Sequence, residues 1–128
     1  MKRRGYISDS VATPENFQKA YWGYSREKRD RHEIRVFESD LETNLVGLLQ
    51  AYVTCSFRTS PYVEKEVFVP KHRFVHKLPA SNHVIQWASV LPVESWLMDT
   101  LYFRSPACIP KKGTHYFVHQ EMAELHGC

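Results

Sequence analysis

The sequence predicts an α+β fold: a helical lead-in, one β-hairpin, then further helices. Three observations predict it. Apolar residues recur at helical spacing over 17–24 and again over 34–52. Residues 62–69 alternate with a period of two, and a second short apolar run, 73–78, follows a Pro70-Lys71-His72 turn. Helical spacing then resumes from Val84 onward. Grouped helices around one hairpin differ from the strand–helix alternation of a parallel sheet.

Each element has a local reason. Residues 1–12 are polar and are expected to be a flexible N-terminus, with the domain proper at 13–128. Thr13-Pro14-Glu15 is a helix start: a capping hydroxyl, a proline at the first helical position, and a carboxylate at the positive dipole end. Phe17, Ala20, Tyr21 and Tyr24 then form one face. Ile34, Phe37, Leu41, Leu45, Leu48 and Tyr52 keep the helical period. They fit one long helix, or two divided at Ser39, because Ser39-Asp40-Leu41-Glu42 reads as a capping box. In the hairpin, Val63, Lys65, Val67 and Val69 share one face, and Glu64, Glu66 and Phe68 the other. Lys71, Arg73 and Lys77 are expected near its tip or outer face. Ser81 or Asn82 is expected to cap the next helix, with Val84, Trp87, Ala88 and Leu91 as its apolar stripe and Trp87 and Trp96 in the core. Pro92 should kink or end that helix, and Val93, Trp96, Leu97 and Leu101 resume the spacing. A proline-bounded loop, 105–113, precedes a last helix that Thr114 can cap, with Val118, Met122 and Leu125 on its face.

The chain has 128 residues, 43% of them hydrophobic and 24% charged, which suits one globular domain and not a disordered one. Lysine and arginine number 17 against 14 acidic residues, for a net charge of +3. That balance permits a nucleic-acid partner without demanding one. The cations cluster at Lys2-Arg3-Arg4, at Arg26, Lys28, Arg29 and Arg31, and at Lys111-Lys112. A solvated face would show the same clusters. The three cysteines, Cys55, Cys108 and Cys128, are irregularly spaced and follow no apolar leader, so reduced thiols and a cytoplasmic location are expected. No run approaches the ~18 apolar residues that a membrane span needs. His115 and His119, with Cys108 near in sequence, form a partial zinc pattern without a fourth ligand, so no metal is expected. Tyr6, Tyr21, Trp22 and Tyr24 offer rings that could stack on bases. Tyr21 and Tyr24 fall on the apolar stripe, which leaves Trp22 as the better stacking candidate.

The stretch from Phe68 to His115 resembles the fingers region of bacterial reverse transcriptases of the retroelement and group II intron type. Phe68-Val69-Pro70-Lys71-His72-Arg73-Phe74-Val75 resembles their fingers hairpin, in which a Pro-Lys-x-Arg turn precedes a hydrophobic strand. Leu78-Pro79-Ala80-Ser81-Asn82-His83-Val84-Ile85-Gln86-Trp87-Ala88 resembles the block that opens the next helix with Asp-Arg-Val-Val-Gln, and Leu91-Pro92-Val93-Glu94 the middle of that helix. Ser105-Pro106-Ala107-Cys108 and Lys112-Gly113-Thr114-His115 look like the Ser-x-Ala and Gly-Lys-Gly-Thr-His pieces ahead of the palm. Asn16–Ala20 and Phe37–Leu49 look like the helical lead-in, so the likeness covers most of 13–120. Asn82-His83 stands in place of Asp-Arg, which weakens an ion-pair role there, and Lys111 replaces the first glycine of Gly-Lys-Gly.

The resemblance implies a partial fingers subdomain of a polymerase right hand. It implies that Lys71 and Arg73 meet an incoming deoxynucleotide, Arg73 through the paired hydrogen bonds a guanidinium offers a phosphate. The basic residues Arg29 and Arg31, the stacking candidate Trp22, and the helix start at Lys111, Lys112, Gly113 and Thr114 would serve an RNA template and primer duplex. An intact polymerase of this kind uses magnesium held by clustered palm aspartates. This sequence has only Asp9, Asp30, Asp40 and Asp99, none adjacent to another. No cofactor and no polymerase activity are therefore expected of this chain alone. The implied partner is the palm region of the same polymerase, without which the fragment should expose apolar surface and self-associate. Two other readings stay open: a stand-alone, non-catalytic nucleic-acid-binding protein, and an inactive remnant.

Overall fold

A computed structural model describes residues 5–101, 109 and 112–126. The chain is α+β, with elements in the order α1 (Ile7–Val11), α2 (Pro14–Ser25), α3 (His32–Glu38), α4 (Leu41–Val53), β1 (Val63–Val67), β2 (Arg73–Lys77), α5 (Ala80–Thr100) and α6 (Thr114–His126). It divides into two compact units, Met1–Val93 and Glu94–Cys128.

The first unit is built around α2. Thr13 caps the helix as its sequence requires: its backbone is extended and its hydroxyl accepts from the Asn16 N–H at 3.3 Å. Phe17, Ala20, Tyr21 and Tyr24 are all buried, with Ile34, Phe37, Leu48, Val84 and Ala88 around them. Phe17 meets Tyr52 edge-on at 6.1 Å, and Tyr21 stacks on Phe37 at 5.6 Å. Fully burying a side chain of the size of Phe17 contributes roughly 1.5–3 kcal/mol. This stripe therefore holds α3, α4 and α5 to α2.

The packing decides three local features. Within the N-terminal segment expected to be flexible, Ile7–Val11 form a short helix, because Val11 is buried against the core. Residues 34–53 are two helices, not one. Ser39 Oγ donates to the Val36 carbonyl and Asn44 Nδ2 to the Phe37 carbonyl, at 2.8 and 3.0 Å, so side chains take over the end of α3. Asp40 is the cap residue of α4 but makes no side-chain cap bond, so the capping box itself does not form. At the start of α5 neither Ser81 nor Asn82 caps: the Pro79 carbonyl accepts from the Asn82 N–H at 3.1 Å, and the helix starts at Ala80. Asn82 is instead buried, its Oδ1 accepting from Ser60 at 3.2 Å, which ties the segment ahead of the hairpin to α5.

Helix α5 runs on through Pro92. A proline at that position removes the N–H that would bond the Ala88 carbonyl one turn earlier. The vacancy is filled from another helix. The buried Asn16 Nδ2 donates to Ala88 O at 2.8 Å and to Val11 O at 3.0 Å. One amide thus supplies the donor that Ala88 O lacks, adds a second to Val11 O beside the Thr13 N–H, and joins α1, α2 and α5.

The hairpin is antiparallel, pairing Val63 with Lys77, Lys65 with Val75 and Val67 with Arg73. In the second unit, α6 has no buried residue, and Val118, Met122 and Leu125 are exposed. Among the described residues no helix is long and apolar enough to cross a membrane.

Candidate nucleic-acid interface

The hairpin sorts its charges by face. Cross-strand partners share a face and alternate along each strand. Lys65, Arg73 and Lys77 therefore lie on one side with Val63, Val67 and Val75, and Glu64 and Glu66 lie on the other with Phe74 and His76. At the tip, His72 stacks on Phe68 at 5.0 Å, meets Phe74 edge-on at 5.3 Å, and contacts the Glu66 carboxylate through Nε2. This aromatic cluster brackets the turn that carries Lys71. Lys71 and Arg73 are both exposed, close to the apolar tip residues Phe68 and Val69, which are 67% and 78% exposed.

The basic run after α2 is fixed by two tight turns. Arg26 and Glu27 occupy the centre of a type II turn: Glu27 has φ 62°, and the Lys28 N–H donates to Ser25 O at 3.0 Å. The Arg31 N–H then donates to Lys28 O at 3.0 Å, and Arg31 is the cap residue of α3. Within this run the cations take different posts. The Arg29 guanidinium lies 4.4 Å from the centre of the Trp22 ring, and Tyr21 meets the same ring edge-on at 5.5 Å. Trp22 is 43% exposed, but Arg29 occupies one of its faces, which limits its use as a stacking platform. Lys28 lies over the Tyr24 ring at 4.9 Å.

A concavity of about 290 Å³ brings Lys28 and Arg31 together with Lys77 of β2 and with His83 and Trp87 of α5. Tyr24, Glu33 and His76 also line it. Trp87, expected in the core, is 41% exposed at this cavity. Its ring packs on Gly23, where an added Cβ would lie 2.8 Å from a ring carbon, so only the absence of a side chain at 23 lets the indole sit there. The sequence gives no local sign of this grouping, because Tyr24 and His83 meet by folding: their rings stack at 4.9 Å. A second concavity, about 410 Å³, lies between α2 and α4 and is mostly apolar, lined by Phe17, Leu41, Leu45 and Leu49 among others.

Two tyrosines in this region are held protonated. Burial pushes the Tyr21 hydroxyl up to about 12, and the Glu38 carboxylate adds to the rise without forming a hydrogen bond to it. Burial, then Glu33, raises Tyr24, while Arg31 works against the rise. Neither is poised to exchange a proton near neutrality.

In the second unit, the Phe117 N–H donates to Gly113 O at 3.1 Å, so Gly113 and not Thr114 occupies the cap position of α6, and Thr114 is its first residue. Lys112 Nζ lies 5.9 Å from the centre of the Tyr116 ring. Lys111, Cys108 and the 102–108 segment lie outside the described residues, as do Lys2, Arg3, Arg4 and Cys128. Among the described residues no three histidine, cysteine or acidic side chains are placed to hold a metal ion.

No protein-family model matches the chain, and no curated protein matches it.

Proposed function

We propose that this chain is a nucleic-acid-binding and nucleotide-binding element of the reverse-transcriptase fingers type, contributing template and nucleotide contacts to an RNA-directed DNA polymerase. By itself it carries out no nucleotidyl transfer. The observation that carries the reading is the exposed hairpin tip, where Lys71 and Arg73 stand in a Pro-Lys-x-Arg turn. Two things add support: the ordered sequence pieces on either side of that turn, and the collection of Lys65, Arg73 and Lys77 on a single hairpin face. A guanidinium there takes a phosphate through two parallel hydrogen bonds, and the neighbouring ammonium adds a point charge. Its partners are an RNA template with its primer duplex, a deoxynucleotide, and the palm of the same polymerase, in the cytoplasm.

Titrations of a labelled deoxynucleoside triphosphate and, separately, of a labelled single-stranded RNA, followed by fluorescence anisotropy over a series of salt concentrations, test this. Each phosphate neutralised on a single strand contributes a slope of about −0.7 in log affinity against log salt. Lys71→Ala and Arg73→Ala should each weaken triphosphate binding, whereas Arg29→Ala should weaken RNA binding and flatten that slope by about 0.7. Triphosphate affinity unchanged in the Lys71 and Arg73 variants would overturn the reading.

A further inference from the structure

We infer that the cavity among the end of α2, the 26–31 turns, β2 and α5 is a nucleotide site, with Lys28, Arg31 and Lys77 around the phosphate and Trp87 under the base. It lies away from the hairpin tip and extends the proposed function to a second contact. Three cations and one carboxylate, Glu33, line it, with His76 and His83 beside them. Among the described residues no carboxylate forms an ion pair with Lys28, Arg31 or Lys77. Like charges gathered in a concavity repel one another, and an anion relieves that cost. The backbone positions of the cations are also set before any ligand arrives. Consecutive turns fix the backbone of Lys28 and Arg31, the Tyr24 ring underlies Lys28, and Lys77 is half-buried at the end of β2. Such preorganisation lowers the cost of binding.

The aromatic wall selects the rest of the ligand. His83 covers Tyr24, which leaves Trp87, partly exposed and seated on Gly23, as the open ring. An indole beside a cationic cluster suits a flat, π-faced group attached to a phosphate. The volume, about 290 Å³, lies just below the range of ligand cavities, about 300 to 1,000 Å³. That admits one nucleotide and not a duplex. A free mononucleotide and a single residue of a strand present the same chemistry.

The test uses the full chain, with NMR of the tryptophan indole N–H signals, the Trp87 signal being assigned with Trp87→Phe. Adenosine monophosphate and a short oligoadenylate are titrated separately, with adenosine and inorganic phosphate as partial ligands. The expected result is a saturable shift of the Trp87 signal, with either partial ligand binding more weakly than the nucleotide. Lys28→Ala and Lys77→Ala should each weaken binding by roughly tenfold or more, the size of one lost charge-assisted hydrogen bond. Lys28→Gln and Lys77→Gln, which keep much of the stem, should do the same with an unchanged spectrum elsewhere. Saturation by the mononucleotide identifies a free nucleotide as ligand, and saturation by the oligonucleotide alone identifies a residue of a strand. No saturable shift with either, or affinities indifferent to both lysines, overturns the site. Arg73→Ala separates the two proposals: it should leave the Trp87 response to adenosine monophosphate intact while weakening triphosphate binding at the hairpin.

Discussion

Removing the Asn16 amide should cost more stability than one surface-to-core contact, and the cost should depend on Pro92. Asn16 Nδ2 donates to two buried carbonyls, Val11 O at 3.0 Å and Ala88 O at 2.8 Å. Asn16→Ala leaves Ala88 O without a donor, whereas Val11 O keeps the Thr13 N–H at 2.8 Å. An unpaired buried group costs about 1–3 kcal/mol and a lost hydrogen bond about 0.5–1.5 kcal/mol, so a loss of about 2–4 kcal/mol is expected. Pro92 makes the larger part of this loss unavoidable, because it has no N–H to offer Ala88 O. In a Pro92→Ala background the helix supplies that N–H itself. Asn16→Ala should then cost less by about 1–3 kcal/mol, a coupling of the size found between groups sharing one partner. The assay is urea unfolding followed by tryptophan fluorescence, since Trp22 and Trp87 both report on the first unit. All four members of the cycle are compared by midpoint at constant slope. Equal costs of Asn16→Ala in the two backgrounds would refute the account of how α5 passes through its proline.

Gly23→Ala places a Cβ 2.8 Å from the Trp87 ring; it should lose stability, overpacking of about 1–3 kcal/mol outweighing about 1 kcal/mol of helix propensity. The sign should reverse in a Trp87→Ala background, and a loss in both would show that the ring is not what Gly23 accommodates. Cys55, at φ 54°, closes α4 with its N–H donating to Tyr52 O while Ser56 N–H donates to Ala51 O, a left-handed termination that favours glycine. Thermal unfolding of Cys55→Gly should show a gain of up to about 1 kcal/mol, the strain relieved less the added chain entropy. Because the folded state holds the Tyr21 hydroxyl protonated up to about 12 against an ordinary value of 10.0, its contribution is complete below the ordinary value. It is lost as pH rises towards the folded one. Alkaline unfolding should therefore begin in that window, and Tyr21→Phe should flatten the decline; an identical alkaline profile in the variant would exclude Tyr21 as the cause.

The α+β class was legible because it rests on periodicity, which neighbouring residues carry by themselves. The stripe Phe17, Ala20, Tyr21, Tyr24 and the alternation over Val63–Val67 need no knowledge of partners. Thr13 and Pro14 announce α2 for the same reason: their bonds close within a single turn. Of the candidate interface, sequence gave the hairpin turn with Lys71 and Arg73, and it also marked Arg29 and Arg31. It could not divide their roles, because the ring that Arg29 covers and the cavity that Arg31 lines depend on how the chain turns at Glu27.

What the sequence determined by itself were the elements whose hydrogen bonds and apolar faces are local: α2, the hairpin, and the helical character of 34–53 and 80–100. What only the tertiary structure decided were the features completed from far along the chain. Helix α5 continues past Pro92 because Asn16, on another helix, bonds Ala88 O. Trp87 sits at a cavity and not in the core because Gly23 lies opposite it. Lys28, Arg31 and Lys77 share a cavity because β2 folds back against the end of α2. Periodicity reports which face of an element is apolar, whereas the group that meets a given face is fixed only when the elements pack.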